Sequence, residues 1–263
     1  MSLNSNWNDL LPRFISAILM STIGFLAIWL GGVFLDLILI FVVSVMHWEL
    51  GSMLNPMSKQ AKWFSAFFSG LALYWILGIE NSVVWIIILI LGAAFQTSFF
   101  FAQKKKGFMA SLAILFCGYF LHGFRLEFGI GLTFWLVGLV ITTDLFGYFG
   151  GRLIGGPKLF PHLSPKKTWS GAVAGCFGAL GMSYMVLIYV SVEASLLGLL
   201  ALTFLLSVAS QVGDVCESAL KRTCKIKDSS NLIPGHGGVM DRFDGLIGAC
   251  FVLGAISPFL VVI

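Results

Sequence analysis

The chain has 263 residues, of which 58% are hydrophobic and only 11% charged, with a mean hydropathy of +0.96. A water-soluble domain carries about a quarter of its residues as charged groups, so this composition excludes one and makes a bilayer the solvent. The net charge of +4 is not a nucleic-acid footprint, because Lys and Arg fall in short segments between apolar runs, where topology signals lie.

Apolar runs predict helices at approximately residues 13–30, 33–48, 63–79, 83–102, 107–123, 130–150, 170–192, 195–220 and 243–263. Crossing ~30 Å of hydrocarbon takes roughly 17–25 residues. The second run is short, follows the tight Gly31-Gly32 junction and contains Asp36, so a count of eight stays open on length alone. The stretch after Arg13 has no convincing small-residue cleavage site and reads as an uncleaved first span.

The basic residues test the count. With nine spans, fifteen of the sixteen Lys and Arg fall on one side of the membrane and only Arg125 on the other. The positive-inside rule makes the fifteen cytoplasmic, with the N-terminus inside and the C-terminus outside. The predicted fold is therefore an all-α polytopic membrane protein of about nine transmembrane helices. It forms one integral membrane domain over residues 1–263, with 1–129 as scaffold and 130–263 carrying the active site.

Trp29, Trp48, Trp63, Trp85 and Trp169 sit near run ends, where an indole anchors in the interface, and the 30 glycines suit close helix packing in lipid. The five cysteines show no CxxC spacing and read as small packing residues rather than disulfide or zinc ligands. There is no repeat and no soluble domain; the longest extramembrane stretches are about 151–169 and 221–242.

The chemistry concentrates there. Six of the twelve carboxylates (Asp144, Asp214, Glu217, Asp228, Asp241 and Asp244) lie in or beside these two loops. A carboxylate within or at the edge of a span is costly unless paired, hydrated or metal-bound, which marks it as a functional candidate; the plainer reading is a structural pair with Arg152 or a lysine. Gln211, Asp214, Ser218, Lys221 and Lys225 follow spacings of three and four and predict one helical face leaving the membrane. Pro234 and Gly235, Gly237 and Gly238 then break helix and let backbone amides approach an anion. Asp241 and Asp244, three apart at the opening of the last span, suit a divalent cation or serve only as helix caps.

The combination is more specific than its parts. Ser218-x-Leu220-Lys221-Arg222-x4-Lys227-Asp228-x-Ser230-x2-Ile233-Pro234-x-His236-Gly237-Gly238-x2-Asp241-Arg242-x-Asp244 resembles the signature of the phosphatidate cytidylyltransferases, the CDP-diacylglycerol synthases, without departure over 27 positions. Ser164-Pro165-Lys166-Lys167-Thr168-Trp169-Ser170-Gly171 is similar to that family's SPKKTWEG stretch, with Ser170 in place of the Glu. The resemblance is specific over about residues 140–250 and only architectural before that.

It implies transfer of a cytidylyl group from CTP to phosphatidic acid, giving CDP-diacylglycerol and pyrophosphate for phospholipid biosynthesis. It also implies Mg2+, with room for a second cation, held by Asp214 and Asp241, then Asp244 and Asp144. Ser218 and Lys221 join the aspartates as catalytic candidates; Lys166, Lys167, Arg222, Lys227, His236 and Arg242 become substrate-binding candidates, and Ser170 receives no role. The expected partners are the two substrates and membrane lipid, with no nucleic acid, and the resemblance is compatible with a homodimer. The expected location is a bacterial inner membrane with the site facing the cytoplasm.

Four rivals fit less well. A CTP-dependent polyprenol or phytol kinase is disfavoured by the unbroken signature. A CDP-alcohol phosphotransferase needs an Arg after the alanine of Asp244-Gly245-Leu246-Ile247-Gly248-Ala249, where Cys250 stands. A prenyltransferase needs a second aspartate-rich motif. A cation-coupled transporter needs polar groups spread through many spans, and the first five runs are nearly free of them.

Overall fold

The computed structural model describes residues 10–55, 57–79, 83–189 and 195–260. Its elements are α1 (Leu10–Leu30), α2 (Gly32–Leu54), α3 (Lys59–Leu77), α4 (Val83–Ser98), α5 (Lys104–Leu153), β1 (Lys158–Phe160), β2 (Ser164–Thr168), α6 (Trp169–Tyr189), α7 (Leu196–Thr223) and α8 (Met240–Leu260). The ends of two predicted runs, 190–192 and 261–263, lie outside the described residues. Helix dominates for a physical reason: hydrocarbon offers backbone groups no partner, so each segment must satisfy its own. Five helices (α1, α2, α5, α6 and α7) are long and apolar enough to cross a membrane, and α4 is a shorter apolar helix. The chain is a largely helical, multi-pass membrane protein.

The 50-residue α5 contains the runs predicted at 107–123 and 130–150, divided by Gly129 with non-helical torsions (φ 76°, ψ −173°). Large apolar side chains cover the outside, and Trp29, Trp63, Trp85 and Trp169 are exposed as interface anchors would be. Trp48 instead packs 6.1 Å from the Trp63 ring, with Lys62 Nζ 4.7 Å over its face. Cys117 and Cys250 are buried, as packing residues are, whereas Cys216 is exposed.

The chain divides into two compact units. One comprises Met1–Arg125 with Thr223–Arg242; the other comprises Leu126–Arg222 with Phe243–Ile263. In the first, α2 packs along α3 and α3 along α4. Two charged groups within its helices are paired: Asp36 Oδ1 meets His122 Nδ1 at 2.5 Å, and Arg125 Nε donates to the Ile28 carbonyl at 2.9 Å.

In the second unit a β1–β2 hairpin, absent from the all-α expectation, joins α5 to α6, pairing Lys158 with Thr168 and Phe160 with Ser164. Thr168 caps α6 by accepting from Gly171 N at 3.1 Å. Ser170 also touches Thr168 Oγ1, at 3.0 Å, and donates to the Gly155 carbonyl. The residue that departs from the expected Glu thus pins the hairpin to the end of α5.

α7 and α8 cross at Gly213 and Gly248. A Cβ on Gly213 would stand 3.0 Å from Gly248 Cα and overlap the Asp244 carbonyl; one on Gly248 would overlap the Ala209 carbonyl. Two glycines therefore bring the backbones into contact and place Asp214 near Asp244 of α8. Gly213→Ala is expected to destabilise the protein by about 1–3 kcal/mol through overpacking. Gly92→Ala, at an exposed helical glycine with nothing within 4 Å, should be neutral or stabilising. Equilibrium unfolding of both variants in detergent checks the contrast.

Candidate active site

In the second unit the site is built on α7, the hairpin and the start of α8. Asp214 lies where α7 leaves its apolar stretch. Its Oδ2 forms an ion pair with Lys167 of β2, and its Oδ1 accepts from Ser218 Oγ one turn on, at 3.3 Å. Residues of a strand alternate between faces, so the two lysines differ: Lys167 is half-buried against Asp214, whereas Lys166 is exposed. Glu217, one turn from Lys221, takes that lysine's Nζ at 2.5 Å in a buried pair. Lys221 thus serves Glu217, a carboxylate that helical spacing left outside the site. Arg222 Nε donates to the Leu163 carbonyl at 3.2 Å and ties α7 to the hairpin turn.

Asp244, whose Oδ1 accepts from Gly245 N at 2.7 Å, stands within electrostatic reach of Asp214, Glu217 and Asp144. Three carboxylates thus act electrostatically on Asp244, and two of them, Asp214 and Glu217, each hold a lysine. One expectation is corrected here. α7 ends at Thr223, and Lys225 stands beyond it with a left-handed φ of 58°, so it does not continue the face of Asp214 and Ser218. The cluster of Lys221 and Arg222 followed by a polar loop ends the helix before that position.

In the first unit the glycine-broken loop folds onto the N-terminus of α8. Ile233 N and the Gly237 carbonyl pair at 2.8 Å, closing a small turn that holds Pro234, Gly235 and His236. Ser16 of α1 donates to the Pro234 carbonyl at 3.1 Å and lies 2.8 Å from His236 Nδ1. Arg242 doubles back, donating to the His236 carbonyl from Nε at 3.1 Å and Nη2 at 2.8 Å. Lys227 and Asp228 are exposed on the loop's outer side.

Asp241 Oδ2 accepts from Ser229 N at 2.9 Å, Ser229 Oγ at 3.0 Å and Gly238 N at 2.8 Å. Below the loop lies Glu49 of α2, with no exposed surface, accepting from Ser229, Ser230, Val239 and Met240. Reading the first 129 residues as scaffold missed it. The available signal was a carboxylate inside the apolar stretch Phe41 to Leu54, which by itself marks a functional candidate.

The donors are hard carboxylate oxygens, the chemistry Mg2+ takes. Among the described residues no three His, Cys, Asp or Glu are gathered into a ready metal cage. Mg2+ keeps waters and takes one or two carboxylates along with substrate phosphates, so dispersed aspartates near cationic side chains fit it.

The second unit holds lysine-paired carboxylates and the first a glycine-broken loop at a helix N-terminus, both within an integral membrane protein. The sequence matches the cytidylyltransferase family over residues 11–259, and the chain belongs to that family. It is 35% identical to a phosphatidate cytidylyltransferase of Brucella abortus biovar 1 (strain 9-941), over 94% of this chain and 92% of the relative. It is 36% identical to that of Bacillus subtilis (strain 168), over 61% of this chain and 58% of the relative. The chloroplastic phosphatidate cytidylyltransferase 4 of Arabidopsis thaliana is 40% identical over 44% of this chain and 32% of its own length.

Breaking a buried ion pair leaves the surviving charge uncompensated, whereas removing both charges does not. Lys221→Met is therefore expected to destabilise the protein by about 3–5 kcal/mol, and Glu217→Gln/Lys221→Met to recover most of that loss. A double-mutant cycle by equilibrium unfolding in detergent measures the coupling.

Proposed function

We propose that this protein transfers the cytidylyl group of CTP to phosphatidic acid, releasing pyrophosphate and forming CDP-diacylglycerol for phospholipid biosynthesis. The observation that carries the reading is family membership across residues 11–259, supported within the second unit by the Lys167–Asp214 pair, which ties the stretch at residues 164–171 to α7 just ahead of Ser218. An oxygen of the lipid phosphate attacks the α-phosphorus of CTP, and the bond from that phosphorus to the β-phosphate oxygen breaks. Both substrates are polyanions, so the protein's task is to neutralise, align and stabilise charge rather than to supply a nucleophile. Ser218 accordingly serves as a hydrogen-bonding group to Asp214 and not as a covalent intermediate.

Asp214 and Asp241 would hold Mg2+, with Asp244 and Asp144 as the next ligands. When bound, the ion supplies positive charge to the triphosphate and the departing pyrophosphate. Lys167 and Lys221 already sit on carboxylates, so an arriving phosphate competes with Asp214 and Glu217 for their ammonium groups. Lys166, Lys227 and Arg242 are exposed and reach outward toward phosphate. His236 and Arg222 brace the loops that carry these groups.

The topology that supports this reading counts nine spans, with the two arms of α5 on either side of Gly129 as separate crossings. It places the N-terminus and the charged loops in the cytoplasm, where CTP is available, and the C-terminus outside. Fifteen of the sixteen Lys and Arg fall on the cytoplasmic side in that arrangement. The location this reading assigns is a bacterial inner membrane, and a homodimer is compatible with the family.

Purified protein with CTP, phosphatidic acid and Mg2+ should form CDP-diacylglycerol, detected by mass spectrometry, and lose the activity when Mg2+ is chelated. Asp214→Asn and Asp241→Asn should each lower kcat by at least about 100-fold in folded protein, the scale of losing an electrostatic group. Lys59→Ala, at a residue that serves topology alone, should keep wild-type turnover. Near-normal rates in both aspartate variants would contradict the metal assignment.

A further inference from the structure

The unit that contains Asp241 also buries a carboxylate that the transfer chemistry does not use. Glu49 is completely buried in α2, and both of its oxygens are filled. Oε1 accepts from Ser230 Oγ at 2.5 Å and Val239 N at 2.9 Å; Oε2 accepts from Met240 N at 2.7 Å and Ser229 Oγ at 3.2 Å. A buried carboxylate costs several kcal/mol in desolvation, and it persists only where donors of this number and quality converge. The two amides open α8, so the helix dipole adds to the attraction.

Capping alone does not require such a residue. Local side chains cap most helices, and Asp241 already accepts from Gly238 N and Ser229 N. Two carboxylates therefore divide one set of donors. Glu49 takes the amides of Val239 and Met240 and the hydroxyl of Ser230; Asp241 takes the amides of Ser229 and Gly238. Ser229 Oγ is within hydrogen-bond reach of both and has a single proton to give. Without Glu49, its two amides and two hydroxyls must find another acceptor, and Asp241 is the carboxylate beside them.

The loop is shaped around Glu49 as well. A Cβ on Gly238 would overlap both Ser229 Oγ and Glu49 Oε1, so only glycine leaves room for this carboxylate. A Cβ on Gly237, at φ +83°, would stand 2.7 Å from Asp241 Oδ2. The two adjacent glycines thus make space for the two carboxylates, one each.

We propose that Glu49 is the positioning residue of Asp241: by taking the donors at the start of α8, it fixes that turn and with it the direction from which Asp241 meets a divalent cation. The proposal rests on the reading of Asp241 as a Mg2+ ligand in cytidylyl transfer. A Gln at this position cannot replace Glu49, because in either orientation its amide nitrogen would face a backbone N–H, that of Val239 or of Met240, in place of an acceptor oxygen.

The test uses the full-length protein in detergent, with Mn2+ as a spectroscopic probe followed by electron paramagnetic resonance. Amide hydrogen exchange over residues 229–245 and the kinetics with CTP and phosphatidic acid are measured alongside. Glu49→Gln is expected to speed exchange at Val239 and Met240, weaken Mn2+ binding about 10-fold or more, and lower kcat with KM for phosphatidic acid little changed. Ser230→Ala removes one donor and leaves Asp241 and the helix amides in place. It should move Mn2+ affinity in the same direction by about 2–3-fold, and it decides the matter if Glu49→Gln does not fold. Wild-type Mn2+ affinity in folded Glu49→Gln, or in Ser230→Ala where the first variant fails to fold, would overturn the role of Glu49 while leaving the reaction untouched. A wild-type protein that makes no CDP-diacylglycerol would overturn the underlying reading instead.

Discussion

The cost of an uncompensated carboxylate at membrane depth governs the arrangement of this protein. Four of the described acidic groups are answered inside their own units: Asp36 by His122, Glu217 by Lys221, Asp214 by Lys167 and Ser218, and Glu49 by two hydroxyls and two amides. Such pairing is what lets charge survive where water is scarce. It also separates structure from chemistry, because a pair that only satisfies itself, such as Asp36 with His122, leaves nothing to offer a ligand. Asp214 differs: its cationic partner comes from a two-stranded hairpin, and an anionic substrate can compete for that lysine. The same groups explain why a transporter path fits poorly. Among the described residues of the early helices, Asp36 pairs with His122 and Glu49 with the loop before α8.

Backbone proximity is the second determinant. Gly213 and Gly248 bring α7 and α8 into direct contact, which is how Asp214 comes within electrostatic reach of Asp244. Gly237 and Gly238 do the corresponding work in the loop, each yielding its side-chain volume to a carboxylate. In both places the glycine is read best through the atom that would otherwise be struck. Glycines usually credited to turn flexibility or lipid packing here set the positions of acidic side chains.

Much of this was legible in the sequence, and what escaped did so for specific reasons. Apolar runs located every helix, since run length and hydropathy depend on composition alone, and spacing of four correctly paired Asp214 with Ser218. Spacing did not foresee that Lys221 would turn to Glu217, because residues three and four apart on a helix offer a lysine more than one carboxylate and packing makes the choice. Lys225 left the helix because α7 ends at Thr223. The β1–β2 hairpin was hidden in a segment too short to show alternation, so Lys166 and Lys167 looked alike although they lie on opposite faces. Glu49 was missed because its partners lie about 180–190 positions further along the chain, a separation no local pattern encodes.

The central claim concerns which phosphorus of CTP is attacked, and isotopic labelling addresses it directly. CTP labelled at the α-phosphorus, given to the purified protein with phosphatidic acid and Mg2+, should deliver its label to the lipid fraction. CTP labelled at the γ-phosphorus should deliver its label to pyrophosphate alone. Gamma label in a lipid, or no lipid label from the α position, would contradict cytidylyl transfer and favour phosphoryl transfer or no transfer at all.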